Sequence, residues 1–102
     1  MAFTNVPWTS PETELDANDY CSVCLLDLNE GGGAKVKGKC YLPIKSTPGG
    51  AVNMNAMASV AAYLGKMKVP PEARRKAAKK LRSLYRQADR EPPAMVNRYA
   101  GE

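Results

Sequence analysis

Three cysteines and no histidine bound the chemistry open to this chain. Cys21 and Cys24 form a C-x-x-C, and Cys40 follows after the Gly-rich stretch 31–33. A structural zinc site takes four ligands, usually Cys and His, with the C-x-x-C on a tight turn. A dithiol redox motif places its first Cys at a helix N-terminus. Neither setting is evident. Residues 20–28, YCSVCLLDL, alternate like a strand, with Cys21, Val23 and Leu25 on one face and Tyr20, Ser22, Cys24 and Leu26 on the other. On that reading Cys21 and Cys24 point apart and share neither a metal nor a disulfide. An odd cysteine count argues against a disulfide framework and fits synthesis in a reducing compartment. The three thiols are therefore expected to pack as small apolar side chains. No metal and no cofactor is assigned, chelators should leave folding unchanged, and Cys24→Ser should be tolerated better than Cys40→Ser.

The missing histidines also remove the Ser–His and Cys–His pairs of nucleophilic catalysis. Glu30-Gly-Gly-Gly-Ala-Lys35 lacks the G-K-[ST] ending of a phosphate loop and lies between strands. No catalytic residue is assigned, and the chain is read as a non-enzyme.

The elements that position these residues follow from periodicity. Residues 35–42, KVKGKCYL, alternate again, with Val36, Cys40 and Leu42 on the apolar side. With the loop between them, the two runs predict a β-hairpin of about 20–28 and 35–42. Pro48-Gly49-Gly50 marks a loop. Asn53 or Asn55 caps a helix over about 54–64, whose stripe is Met57, Val60, Ala61 and Leu64, with Gly65 closing it. Pro71 opens a second helix over about 71–89, with Ala73, Ala77, Leu81, Leu84, Tyr85 and Ala88 inward, and Pro92-Pro93 stop it. The expected fold is α+β, a hairpin packed on two helices in one domain (16–91). Extended arms flank it: an N-terminal arm (1–15), with a short turn near Ser10-Pro11-Glu12, and a C-terminal arm (92–102).

Charge is sorted along the chain. Residues 1–34 hold six acids and no Lys or Arg, whereas residues 66–90 hold ten Lys or Arg against Glu72 and Asp89. Sorted charge suits head-to-tail self-association, a charged partner surface, or simple solubility. The basic helix suits non-specific contact with nucleic acid, contact with an acidic protein surface, or solvation alone. Few Asn, Gln or aromatic residues interleave its cations, which argues against sequence-specific readout. Candidate partner contacts are Phe3 and Trp8 in the N-terminal arm, Arg74, Arg75, Lys79, Arg82 and Arg86 on the helix, and Met95 and Tyr99 in the C-terminal arm. No apolar run reaches the length of a membrane span, and MAFTNVPWTSPETEL lacks the regions of a secretory signal.

The order of YCSVCLLDLN, a Gly-rich loop, KVKGKCYLPI, GGAVNMNAMASVAAYLG and VPPEARRKAAKKLRSLYRQADREPP resembles an accessory domain of tailed bacteriophages. That domain accompanies head-maturation proteases and other head-assembly proteins. The likeness covers about residues 20–93. It implies a structural role in the phage head rather than proteolysis, since the protease module is absent here. The resulting expectation is a capsid decoration, or cement, protein. It would be made in the host cytoplasm and carried on the virion surface, with the major capsid protein and neighbouring copies as partners. Nucleic-acid binding through residues 71–89 is the alternative.

Overall fold

The computed structural model describes residues 2–31 and 33–101. In chain order the elements are β1 (Phe3–Thr4), α1 (Ala17–Ser22), β2 (Cys24–Asp27), β3 (Cys40–Pro43), β4 (Val52–Asn53), α2 (Met54–Tyr63), α3 (Pro71–Gln87) and α4 (Ala94–Ala100). Short 3-10 turns, Lys37–Lys39 and Leu64–Lys66, precede β3 and follow α2. The α+β class is as expected.

The hairpin forms, but shorter than alternation suggested. β2 and β3 pair antiparallel with Cys24 opposite Pro43, Leu26 opposite Tyr41 and Asp27 opposite Cys40. The N–H of Leu28 extends the ladder to the carbonyl of Lys39. Residues 17–22 are helical instead. Asp16 caps α1 by accepting the Asp19 N–H at 2.8 Å, and such a cap outweighs a short alternating pattern. Pro11 precedes α1 in a single turn, its carbonyl accepting the N–H groups of Glu14 and Leu15. Residues 35–36 are not a strand, and Val36 is 53% exposed rather than on the apolar face.

Both long helices lie close to their expected positions. The side chain of buried Asn53 accepts the N–H groups of Asn55 and Ala56, which fixes the start of α2. Met57, Val60, Ala61 and Leu64 are buried as the stripe requires. α3 ends before the prolines. The N–H of Asp89 reaches the carbonyl of Arg86, and that of Arg90 reaches Tyr85. This is a Schellman close with Asp89 at a left-handed φ of 59° where glycine is usual. The expected C-terminal arm is in fact helix α4, packed along α3 through Val96 and Ala100.

The main core joins Leu25, Leu26, Leu42 and Ile44 of the hairpin region to α2, to the Ala77, Ala78, Leu81, Leu84 and Tyr85 face of α3, and to α4. A second cluster, Tyr20, Cys21, Val23 and Cys40, seals α1 against the hairpin. The N-terminal residues lie on the body. β1 pairs parallel with β4, Phe3 beside Val52 and Thr4 beside Asn53. The Asn53 and Asn55 amides donate to the carbonyl of Val6, and Asn55 also donates to that of Asn5.

Candidate functional sites

The cysteines occupy two different settings. Cys21 in the last turn of α1 and Cys40 at the start of β3 are joined by a disulfide, with their Cα atoms 5.3 Å apart. This corrects the expectation of three free thiols. Cys21 reaches Cys40 from the last turn of α1, which packs against β3, rather than across two paired strands; the odd count reflects one bridge and one spare thiol. Cys21 and Cys24 indeed stay apart, because a helix-to-strand junction separates them rather than strand alternation. Closing a loop of this sequence separation, 19 residues, stabilises a fold by about 3 kcal/mol in the chain-entropy account.

A polar latch covers the bridge. Asn29 Nδ2 lies 3.3 Å from Cys40 Sγ, 3.7 Å from Cys21 Sγ and 2.8 Å from Asp27 Oδ1. Asn29 Oδ1 accepts the Val36 N–H at 2.8 Å. The other Asp27 oxygen pairs with the Lys35 ammonium. That pairing, aided by Asn29, holds the Asp27 carboxyl down to about 2. The ligand atoms of Cys21, Asp27 and Cys40 lie within 4.8 Å of one another. Cys24 is free and half-buried, and burial pushes its thiol up to about 12 despite the Tyr20 hydroxyl beside it. Burial likewise raises Tyr20. A thiol so displaced is a poor nucleophile at neutral pH.

The basic helix divides its cations between two tasks. Lys76, Lys79 and Arg86 are exposed on its outer side, with Arg75 and Arg82 half-buried at its flanks. Arg75 is also engaged within the chain. Arg74 lies three and four residues before Ala77 and Ala78, on the inward stripe. Its Nε donates to the Leu64 carbonyl at 2.9 Å, its Nη2 donates to the Met67 carbonyl, and its guanidinium lies 5.6 Å from the centre of the Tyr99 ring. Arg98 flanks the same ring at 5.2 Å. Arg74 and Tyr99 therefore clamp α2, α3 and α4 together. Gly65 belongs to the clamp through space rather than φ, since a Cβ there would come within 2.7 Å of the Tyr99 hydroxyl. Arg74, expected as an outward partner contact, is thus an internal tie, as burial of its i+3 and i+4 neighbours Ala77 and Ala78 requires. Lys80 is a further internal tie, donating to the Leu25 carbonyl at 3.1 Å.

The remaining candidates are dispersed. Phe3 is half-buried and packs against the main core. Trp8, also half-buried, lines an open cavity of about 470 Å³ with Tyr20, Tyr41, Leu42, Val60 and Tyr63. Met95 is 39% exposed on α4. The structure thus joins Arg74 to Tyr99, sets Lys79, Arg82 and Arg86 along one helix, and leaves Phe3 and Trp8 on the N-terminal segment. Among the described residues, no helix is long and apolar enough to cross a membrane. Comparison with protein-family models, with curated proteins and with solved structures returned no match.

Proposed function

We propose that this chain is a non-enzymatic docking module of a tailed-bacteriophage head, a decoration protein that binds the major capsid protein and ties neighbouring subunits together. The observation that carries the reading is the separation of charge onto different elements. Glu12, Glu14, Asp16 and Asp19 are exposed around the start of α1. Lys76, Lys79, Arg82 and Arg86 lie along α3. The hairpin stands between these elements, since α1 packs on both of its strands and α3 packs on β2. A small body with an acidic element and a basic element favours one docking orientation over its reverse. It also permits contact between adjacent copies on a lattice. The order of sequence blocks resembling the phage accessory domain is what supports reading that lattice as a phage head. Exposed Val6 and Met95 add apolar contact points at either end of the chain.

The test mixes purified chain with expanded empty heads built from the major capsid protein encoded alongside it, and separately with duplex DNA. Near-stoichiometric co-sedimentation with heads, weakened by Lys79→Glu/Arg86→Glu, is the expected result. Absence from heads, together with tight DNA binding whose affinity falls steeply with salt, would replace this reading with the alternative. That alternative, a non-specific nucleic-acid binder, rests on the same outer row of α3, where Glu72 is the only acid of the helix.

A further inference from the structure

We propose that the Cys21–Cys40 pair has a second state: once reduced, its two thiolates and the Asp27 carboxylate bind one divalent cation of the zinc class. The three donors come from three elements, α1, β3 and β2, so the fold itself converges them. Their ligand atoms already lie within 4.8 Å of one another; a tetrahedral ion holds sulfur and oxygen donors about 3.5–3.8 Å apart, so on reduction the two sulfurs must part and the Asp27 oxygen must close in. Both cysteines are at most 5% exposed, whereas Asp27 is exposed, so the sulfurs are shielded and the ion enters from the carboxylate side. Two thiolates select zinc-like ions over calcium or magnesium.

Asn29 is a second pointer. Its amide faces both sulfurs and the Asp27 carboxylate at once. Turning that amide over would direct Oδ1 at the same point as a fourth ligand, at the cost of the bond it accepts from the Val36 N–H and of those its Nδ2 donates to the Val36 carbonyl and to Asp27. Otherwise water completes the shell. Lys35 competes with the ion, because its ammonium occupies one Asp27 oxygen.

The two states exclude each other. In the cell a dithiol reductant supplies two electrons and two protons, breaks the S–S bond and becomes a disulfide itself. Metal binding then releases the two thiol protons and forms two metal–sulfur bonds. A disulfide oxidant that accepts two electrons from the two thiolates, and is itself reduced to a dithiol with two protons from water, re-forms the S–S bond and expels the ion. Cys24, beside the Tyr20 hydroxyl, has no part in either state.

The full chain is reduced with a phosphine, which takes oxygen from water as it cleaves the disulfide, and is then desalted without oxygen and titrated with Co²⁺. The expected result is one Co²⁺ per chain, with a thiolate-to-cobalt charge-transfer band that zinc abolishes, and no band from the oxidised chain. Cys24→Ser should bind like the parent, Lys35→Ala more tightly, and Asp27→Asn more weakly, by at least the roughly 10- to 100-fold that even an outer-shell partner is worth. The Asp27 and Lys35 variants change exposed side chains, and circular dichroism checks that they fold. A reduced parent chain that takes up no cobalt would overturn the proposal. So would cobalt binding that persists unchanged in Asp27→Asn or disappears in Cys24→Ser.

Discussion

Replacing Arg74 by Ala separates a clamp from a docking surface. The guanidinium donates to the carbonyls of Leu64 and Met67, at and just beyond the end of α2, and lies against the Tyr99 ring. A hydrogen bond to a charged group contributes about 1.5–3 kcal/mol when well buried. Arg74 is only half-buried, so solvent screening places each bond at or below the lower end. The ring contact adds about 0.5–1 kcal/mol. Together these give roughly 2–3 kcal/mol of lost stability, or a fall in Tm of about 10 °C for a domain of this size. The assay is urea unfolding of the oxidised chain, read by circular dichroism, with the midpoint falling at unchanged slope. Arg74→Lys should lose an intermediate amount, since an ammonium cannot hold two carbonyls and cover the ring in the same geometry. Lys79→Ala, on the outer face, should stay within about 0.5 kcal/mol of the parent. If Arg74→Ala is as stable as the parent, or no worse than Lys79→Ala, the clamp is wrong and Arg74 returns to the docking surface.

Four further outcomes are expected. Asn53→Ala should cost about 2–3 kcal/mol in the same assay, because it removes a helix cap and strands buried backbone groups, and it should speed proteolysis in residues 5–10 as the Val6 carbonyl loses a donor. Asp89→Gly should stabilise the chain by up to about 1 kcal/mol, relieving the left-handed Asp. Metal-free reduction of Cys21–Cys40 should lower stability by about 3 kcal/mol, so Cys40→Ser costs more than Cys24→Ser in the oxidised chain. With its pKa near 12 rather than the ordinary 9, Cys24 should alkylate on the order of 50-fold more slowly than a free thiol at pH 8, as followed by mass spectrometry, because the loss of thiolate outweighs the gain in its basicity. The sign follows from the raised value: the stability from keeping this thiol neutral is complete below pH 9 and is lost as pH rises toward 12.

What could be read in advance was whatever depends on local pattern. Asn53 as a cap, the Met57–Leu64 stripe and the Leu81–Tyr85 face are decided by neighbours within a few residues. The hairpin was visible for the same reason, since Leu26 and Tyr41 flank a Gly-rich loop. One misreading was local: residues 20–22, expected in a strand, are helical because the Asp16 carboxylate caps α1 three residues before Asp19. The others came from longer-range effects. Cys21 meets Cys40 only because α1 packs against β3, so counting cysteines could not reveal the bridge. Arg74 precedes buried Ala77 and Ala78 by three and four residues, which marks it as inward-facing, but what it holds is decided only when the ends of α2 and α4 come to rest beside it. The residues from 94 on lack a long stripe, and only packing against α3 makes their single apolar row, Val96 and Ala100, sufficient for a helix.

The parallel pairing of β1 with β4 also sets an order of events. In an unfolded chain, bringing Phe3 to Val52 closes a loop of about 50 residues, at a cost of roughly 3.5 kcal/mol in chain entropy. Two paired residues return little against that. Once Pro11 is buried and α1 is seated on the hairpin, only about six residues remain free between the anchor and β1, and the closure cost falls to roughly 1.6 kcal/mol. The strand therefore docks after the body that receives it. During synthesis β1 leaves the ribosome about 50 residues ahead of β4, yet it must wait until Asn53 and Asn55 have emerged and α2 has formed. For this pair of strands, the order of docking is set by the later one.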